Sequence, residues 1–159
     1  LLLENKYYIY MSLEAKINQD IKAAMIAKDN VRLRGLRAIK AAILLANTEK
    51  GHTEALTEDT EIKVLQKLAK QRKESAEIYQ QQDRKDLYTI EIEELEVIEE
   101  FLPKQLDRDA IENVVKGIIA ETGASSIKDM GKVMGAANQK LAGQADGRTI
   151  SEVVKSLLS

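Results

Sequence analysis

The sequence predicts an all-α protein with an N-terminal helical body of about four helices and a small three-helix C-terminal module. Three observations carry that prediction. Apolar residues recur at spacings of three and four almost throughout, and the chain is rich in good helix formers. Aromatics make up only 4% of its 159 residues, with no Trp and a single Pro, which disfavours sheets. A hydrophobic content of 44% beside 31% charged residues fits a folded soluble chain.

Residues 1–10 stand apart from this pattern. They hold Tyr7, Tyr8 and Tyr10, while Met11-Ser12-Leu13 reads as a more natural beginning. Glu4 and the short apolar runs make a poor signal peptide, and no apolar span is long enough to cross a membrane. Residues 1–10 are therefore expected to be a leader outside the fold, and residues 11–103 the N-terminal domain.

Leu13, Ile17, Ile21, Ala24 and Met25 line one face of a first helix, interrupted at Lys28-Asp29-Asn30. Leu33, Leu36, Ile39, Ile43 and Leu44 line a second, which ends near Gly51, where glycine suits a left-handed cap. A polar loop over 51–57 carries the only histidine, His52. Thr57, followed by Glu58, Asp59 and Glu61, starts a third helix with a hydroxyl cap and first-turn acids. That helix runs to about Gln82 with Ile62, Leu65, Ala69, Ala76 and Tyr79 on its seam. A fourth starts near Asp86 and carries Tyr88, Leu95, Ile98 and Leu102 until Pro103 ends it.

Residues 104–159 form the C-terminal module. Ile111, Val114, Val115, Ile118 and Ile119 make its first helix, closed by Gly123. Ser126-x-x-Asp129 resembles a capping box and opens the next, with Met130, Val133, Met134, Ala137 and Leu141 inward and Gly143 at its end. Thr149-x-x-Glu152 opens the last, with Ile150, Val153, Val154, Leu157 and Leu158 inward.

Charge excludes some functions. The formal net charge is −2, with +1 on residues 104–159 and −3 on the remainder, so neither part has the field of a DNA-binding domain, and no DNA partner is expected. With no Cys and one His, thiolate sites, a zinc site and Cys–His chemistry are unavailable, and no cofactor or metal is expected. Gly131-Lys132 is not a phosphate loop, because Ser126 stands where that motif needs Gly and Val133 where it needs Ser or Thr. Ser125 and Ser126 have no His partner to make a triad. No catalytic residue is assigned.

Two sets of charged residues remain. Arg72 falls on the apolar seam of the third helix, Lys40 between Leu36 and Leu44 with Arg37 beside it, and Glu91 and Glu94 flank the Leu95/Ile98 stripe. An interhelical ion-pair network, an inward basic pocket for phosphate or carboxylate, and snorkelling to solvent are the three readings of this cluster. Lys63, Lys67 and Lys70 make a second stripe, read as an exposed face or an RNA-phosphate track. In the C-terminal module, Lys128, Lys132, Lys140 and Arg148 supply charge around Gly131 and Gly135. Those two glycines either let a neighbouring helix lie close or bare their backbone N–H groups to phosphates.

Lys70-Gln71-Arg72-Lys73-Glu74-Ser75, the run Phe101-Leu102-Pro103-Lys104-Gln105-Leu106, and Asp129-Met130-Gly131-Lys132-Val133-Met134-Gly135 with Gly143-x-x-Asp146-Gly147 together resemble the YqeY family over Met11 to Ser159. Arg37 and Lys40 also stand where that family carries an arginine and a lysine, whereas Gly35 within the second helix departs from it and weakens the helix by up to about 1 kcal/mol. Residues 104–159 are similar to the tail of GatB, a subunit of tRNA-dependent amidotransferase, and nothing here matches its catalytic domain. The resemblance implies a cytoplasmic, non-catalytic accessory protein that binds tRNA or another structured RNA through Lys128, Gly131, Lys132, Gly135, Lys140 and Arg148. Its alternatives are an adaptor docking on an amidotransferase or aminoacyl-tRNA synthetase, and glutamine-dependent carbon–nitrogen ligase activity inherited from the shared module.

Overall fold

The computed structural model describes residues 11–49, 51 and 56–159. The expected leader and His52 lie outside the described residues. Among those described, seven α-helices and no strand occur: α1 (Leu13–Ala27), α2 (Asn30–Glu49), α3 (Glu58–Gln81), α4 (Lys85–Glu99), α5 (Arg108–Thr122), α6 (Met130–Lys140) and α7 (Gly147–Leu158). The protein is all-α. The chain divides between Ile98 and Glu99 into two compact units, each with its own core.

In the first unit the helix ends are written in local chemistry. Ser12 Oγ accepts from the Ala15 N–H at 3.2 Å, and Lys28 closes α1 in the left-handed region at φ 55°. Asp29 Oδ1 then accepts from the Arg32 N–H at 3.0 Å, so the break between α1 and α2 is two residues long. Thr57 caps α3 through the Thr60 N–H. The inward stripes of α1 and α2 are narrower than the sequence pattern suggests. Ile17, Leu36, Ile39 and Ile43 are buried, but Met25 and Leu44 are about half exposed because each sits beside the last inward residue of its stripe. Helix α4 stops at Glu99, three residues before the expected Leu102, and a turn leads into Pro103.

Gly35 is more than a weak point in α2. A Cβ at that position would lie 2.7 Å from Val97 Cβ of α4, closer than atoms approach, so the absent side chain is what lets these helices touch.

In the second unit, Ile111, Val115 and Ile118 of α5, Val133 and Ala137 of α6, and Val153 and Val154 of α7 form one buried cluster. Fully burying a Val or Ile side chain is worth roughly 1.5–3 kcal/mol, so these few positions supply most of the drive to pack three short helices. Asp107 caps α5 and Gly123 ends it at φ 66°. The chain entering this unit is tied down by Gln105, whose Nε2 donates to the Gly143 carbonyl at 2.7 Å, and by the Leu106 N–H donating to the Gln144 carbonyl.

Two starts differ from expectation. Ser126 opens a 3-10 turn over Ile127–Asp129, and α6 follows it, because Asp129 Oδ2 accepts from the Ser125 and Ser126 N–H groups and draws the chain into the tighter turn. The cap of α7 is Asp146, not Thr149. Its Oδ1 accepts from the Thr149 N–H at 2.8 Å, while the Thr149 hydroxyl donates back to the same carboxylate. Gly147 is thus the first residue of α7.

Candidate functional site

Two constellations of polar groups stand out, one in each unit. In the first, α2, α3 and α4 bring five charges together. Arg72 Nη1 of α3 lies 3.2 Å from Glu91 Oε2 and 3.3 Å from Glu94 Oε2. Glu94 is 7% exposed, and its other oxygen lies 3.2 Å from Arg34 Nε of α2. Arg34 Nη2 also donates to Glu93. Two guanidiniums therefore face three carboxylates, a local charge of −1.

Of the residues singled out in the sequence, Arg72, Glu91 and Glu94 meet here. Arg37 is exposed and Lys40 half-buried, and neither forms an ion pair among the described residues. Arg34 is the cation that sequence reading missed. It stands two residues after Arg32 and three before Arg37, on no simple apolar seam, and only the approach of α4 around Gly35 brings Glu93 and Glu94 to it. The Nε–H groups of Arg34 and Arg72 are buried without a hydrogen-bond partner, so the 3.2 Å Arg34–Glu94 contact is close in distance but poorly aimed. Charge attraction rather than full hydrogen-bond satisfaction holds this cluster, and its arrangement is that of an interhelical ion-pair network.

The second constellation lies on α6. Gly131, Lys132 and Gly135, with Asn138 and Gln139, form its exposed face, while Val133 and Ala137 face the core. Lys128 is exposed in the turn just before it. A Cβ built on Gly131 or Gly135 meets nothing within 4 Å. Among the described residues no neighbouring helix uses these glycines for close approach, so packing explains neither, and each costs the helix up to about 1 kcal/mol relative to Ala.

The cations around that face are only lightly engaged. Lys132 Nζ is 3.4 Å from the Thr122 carbonyl at the end of α5, where a positive charge favours the helix dipole. Lys140 Nζ pairs with Glu121 at 3.1 Å and Arg148 Nε with Glu152 at 3.2 Å, all on exposed side chains where such pairs contribute little. Lys128 forms no ion pair among the described residues. The Asp129 carboxyl is held below its ordinary range by the Ser125 and Ser126 N–H groups it accepts from, so it stays ionised while it fixes the turn.

Comparison with known proteins spans both units. The sequence pattern described as "Yqey-like protein" matches residues 14–158. A curated relative from Clavispora lusitaniae, "Altered inheritance of mitochondria protein 41, mitochondrial", is 40% identical over 93 residues, which cover 58% of this chain and 53% of that protein. The chain thus matches about half the length of that relative. Among the described residues, no helix is long and apolar enough to cross a membrane.

Proposed function

The chain belongs to the YqeY family, and from that premise we propose that it is a non-catalytic accessory protein that binds tRNA or another structured RNA through its C-terminal module, residues 104–159. The observation that carries this reading is the pair of exposed glycines on α6 with open space above them. Glycine without a packing role in a helix lowers stability, and a surface that keeps two of them four residues apart offers bare backbone to an incoming group. Lys128 and Lys132 flank that backbone, and Lys140 and Arg148 sit in exposed pairs that a phosphate competes for readily. Shape and phosphate contact are the modes by which structured RNA is read, and they need none of the aromatic stacking for which this chain has few residues. In this reading the protein works in the cytoplasm; the mitochondrial wording belongs to the relative's name.

The test is electrophoretic retardation of tRNA at several salt concentrations. Binding that weakens steeply with salt and is lost in the Lys132→Glu, Arg148→Glu double variant is the expected result. Absence of any complex at low salt removes the reading. A second reading, an adaptor docking on an amidotransferase or an aminoacyl-tRNA synthetase, is favoured by the exposed apolar residues of α2. Partners retained after RNase treatment would support it. Glutamine-dependent amidation by the purified chain alone would instead place it among carbon–nitrogen ligases.

A further inference from the structure

We propose that the groove between α2 and α3 is a docking site for an amphipathic helix of a partner protein, one with an apolar ridge and an acidic flank along α3. This inference stands apart from the RNA reading, since it concerns the other unit and a different class of partner.

The groove has the geometry of a missing helix. Helix α2 contributes positions 42, 45, 46 and 49, and α3 contributes 60, 63, 64, 67, 68 and 71. Both sets follow the i, i+3, i+4, i+7 spacing of a single helical face, so two parallel ridges run along the slot for about two turns or more. Its floor is apolar and partly small, with Ala42 and Ala46 on one side and Val64 on the other. Small residues there let a third backbone come near. Leu45 stands at the edge, 59% exposed, beside Leu44 at 49%. The volume, about 260 Å³, suits a row of inserted side chains better than a drug-sized molecule.

Charge selects the occupant. Lys63 and Lys67, one turn apart on the α3 rim, are exposed and form no ion pair among the described residues. Lys70, one turn further on, is taken up by Glu74 at 3.8 Å. Glu49 lines the α2 side of the groove, so a helix whose apolar ridge fills the floor would carry Glu or Asp only on the flank opposite Lys63 and Lys67. RNA fits less well, because phosphates gain nothing from Leu45, Val64 and the alanines, and no aromatic ring lies in the groove to receive a base.

The experiment selects from a displayed library of 18-residue helical peptides, with randomised flanks around a Leu ridge, against the whole chain and its Lys63→Glu, Lys67→Glu variant. The expected result is enrichment of one acidic flank on the wild-type chain and its replacement by a basic flank on the variant. A chosen acidic peptide should weaken by at least about tenfold on the variant and on Leu45→Glu. Both sites are exposed, and unchanged circular dichroism verifies that the variants fold.

Three results overturn the proposal. One is enrichment whose flank charge ignores the reversal, or no enrichment over a scrambled ridge. Another is a dimer in sedimentation equilibrium that Leu45→Glu abolishes, which assigns the groove to a second copy. The last is loss of tRNA retardation in the Lys63→Glu, Lys67→Glu variant with no effect on peptide binding.

Discussion

Gly35 of α2 and Val97 of α4 approach so closely that an added Cβ would stand 2.7 Å from the valine Cβ and 2.9 Å from its Cγ1. The Val97 Cβ is one bond from the backbone and 6% of the residue is exposed, so it has nowhere to turn. Gly35→Ala should therefore lose about 1–3 kcal/mol to overpacking while recovering at most about 1 kcal/mol of helix propensity. Urea unfolding should show a net loss. Adding Val97→Ala to the Gly35→Ala variant should cost at least about 1 kcal/mol less than the same change in the wild type, because the two side chains compete for one space.

The Arg72–Glu94 contact supports a second prediction. Removing Arg72 leaves the buried Glu94 carboxylate with only the poorly aimed Arg34 beside it. Breaking a fully buried pair costs about 3–5 kcal/mol, and partial exposure of Arg72 lowers that, so Arg72→Leu should lose about 2–3 kcal/mol. Arg72→Leu with Glu94→Leu should recover part of it. Since the cluster carries a net −1, phosphate at low millimolar concentration, too dilute for its general salting-out effect, should leave the melting temperature where chloride of equal ionic strength leaves it. A phosphate-specific rise would instead reveal an anion site.

Acid stability should register at the α3–α4 turn. Arg84 Nε and Nη2 hold both oxygens of Asp86 at 3.0 and 2.9 Å, and that hydrogen bonding lowers the carboxyl from 3.8 to about 2. A carboxyl depressed in the folded state contributes stability that is complete above its unfolded value near 3.8 and disappears as pH falls through about 2. Stability should thus fall on acidification across that window, and the slope should be shallower in Asp86→Asn. The carboxyl carbon shift of Asp86, followed by NMR, should titrate near 2.

How much of this was legible depended on the range of the cause. Helix positions and the inward stripes of α5, α6 and α7 come from local periodicity, and the sequence pattern places them within a few residues. The cap of α7 was misplaced because Asp146 and Thr149 are both good capping residues three apart, and only the backbone geometry says which carboxylate or hydroxyl accepts. Gly35 reads as a defect locally, since the residue that requires it lies on another helix. Arg34 was missed for the same reason, as its partners Glu93 and Glu94 come from α4. On α6 the two explanations of Gly131 and Gly135 could be separated only by knowing what stands above them, and among the described residues nothing does.

That open space makes the last prediction a test in two directions. With no atom within 4 Å of an added Cβ, Gly131→Ala and Gly135→Ala meet no steric penalty, and each should stabilise α6 by up to about 1 kcal/mol through helix propensity. A residue kept at a cost to stability should be one whose replacement harms function. If the bare backbone receives phosphates, two methyl groups hold them off while leaving Lys128 and Lys132 in place. The double variant should therefore melt higher than the wild type yet bind tRNA about tenfold more weakly, a loss of roughly 1.4 kcal/mol. Its salt slope should be nearly unchanged, because no cation has been removed. A variant that is more stable and binds tRNA as well as the wild type would leave the lysines as the only RNA contacts on this face.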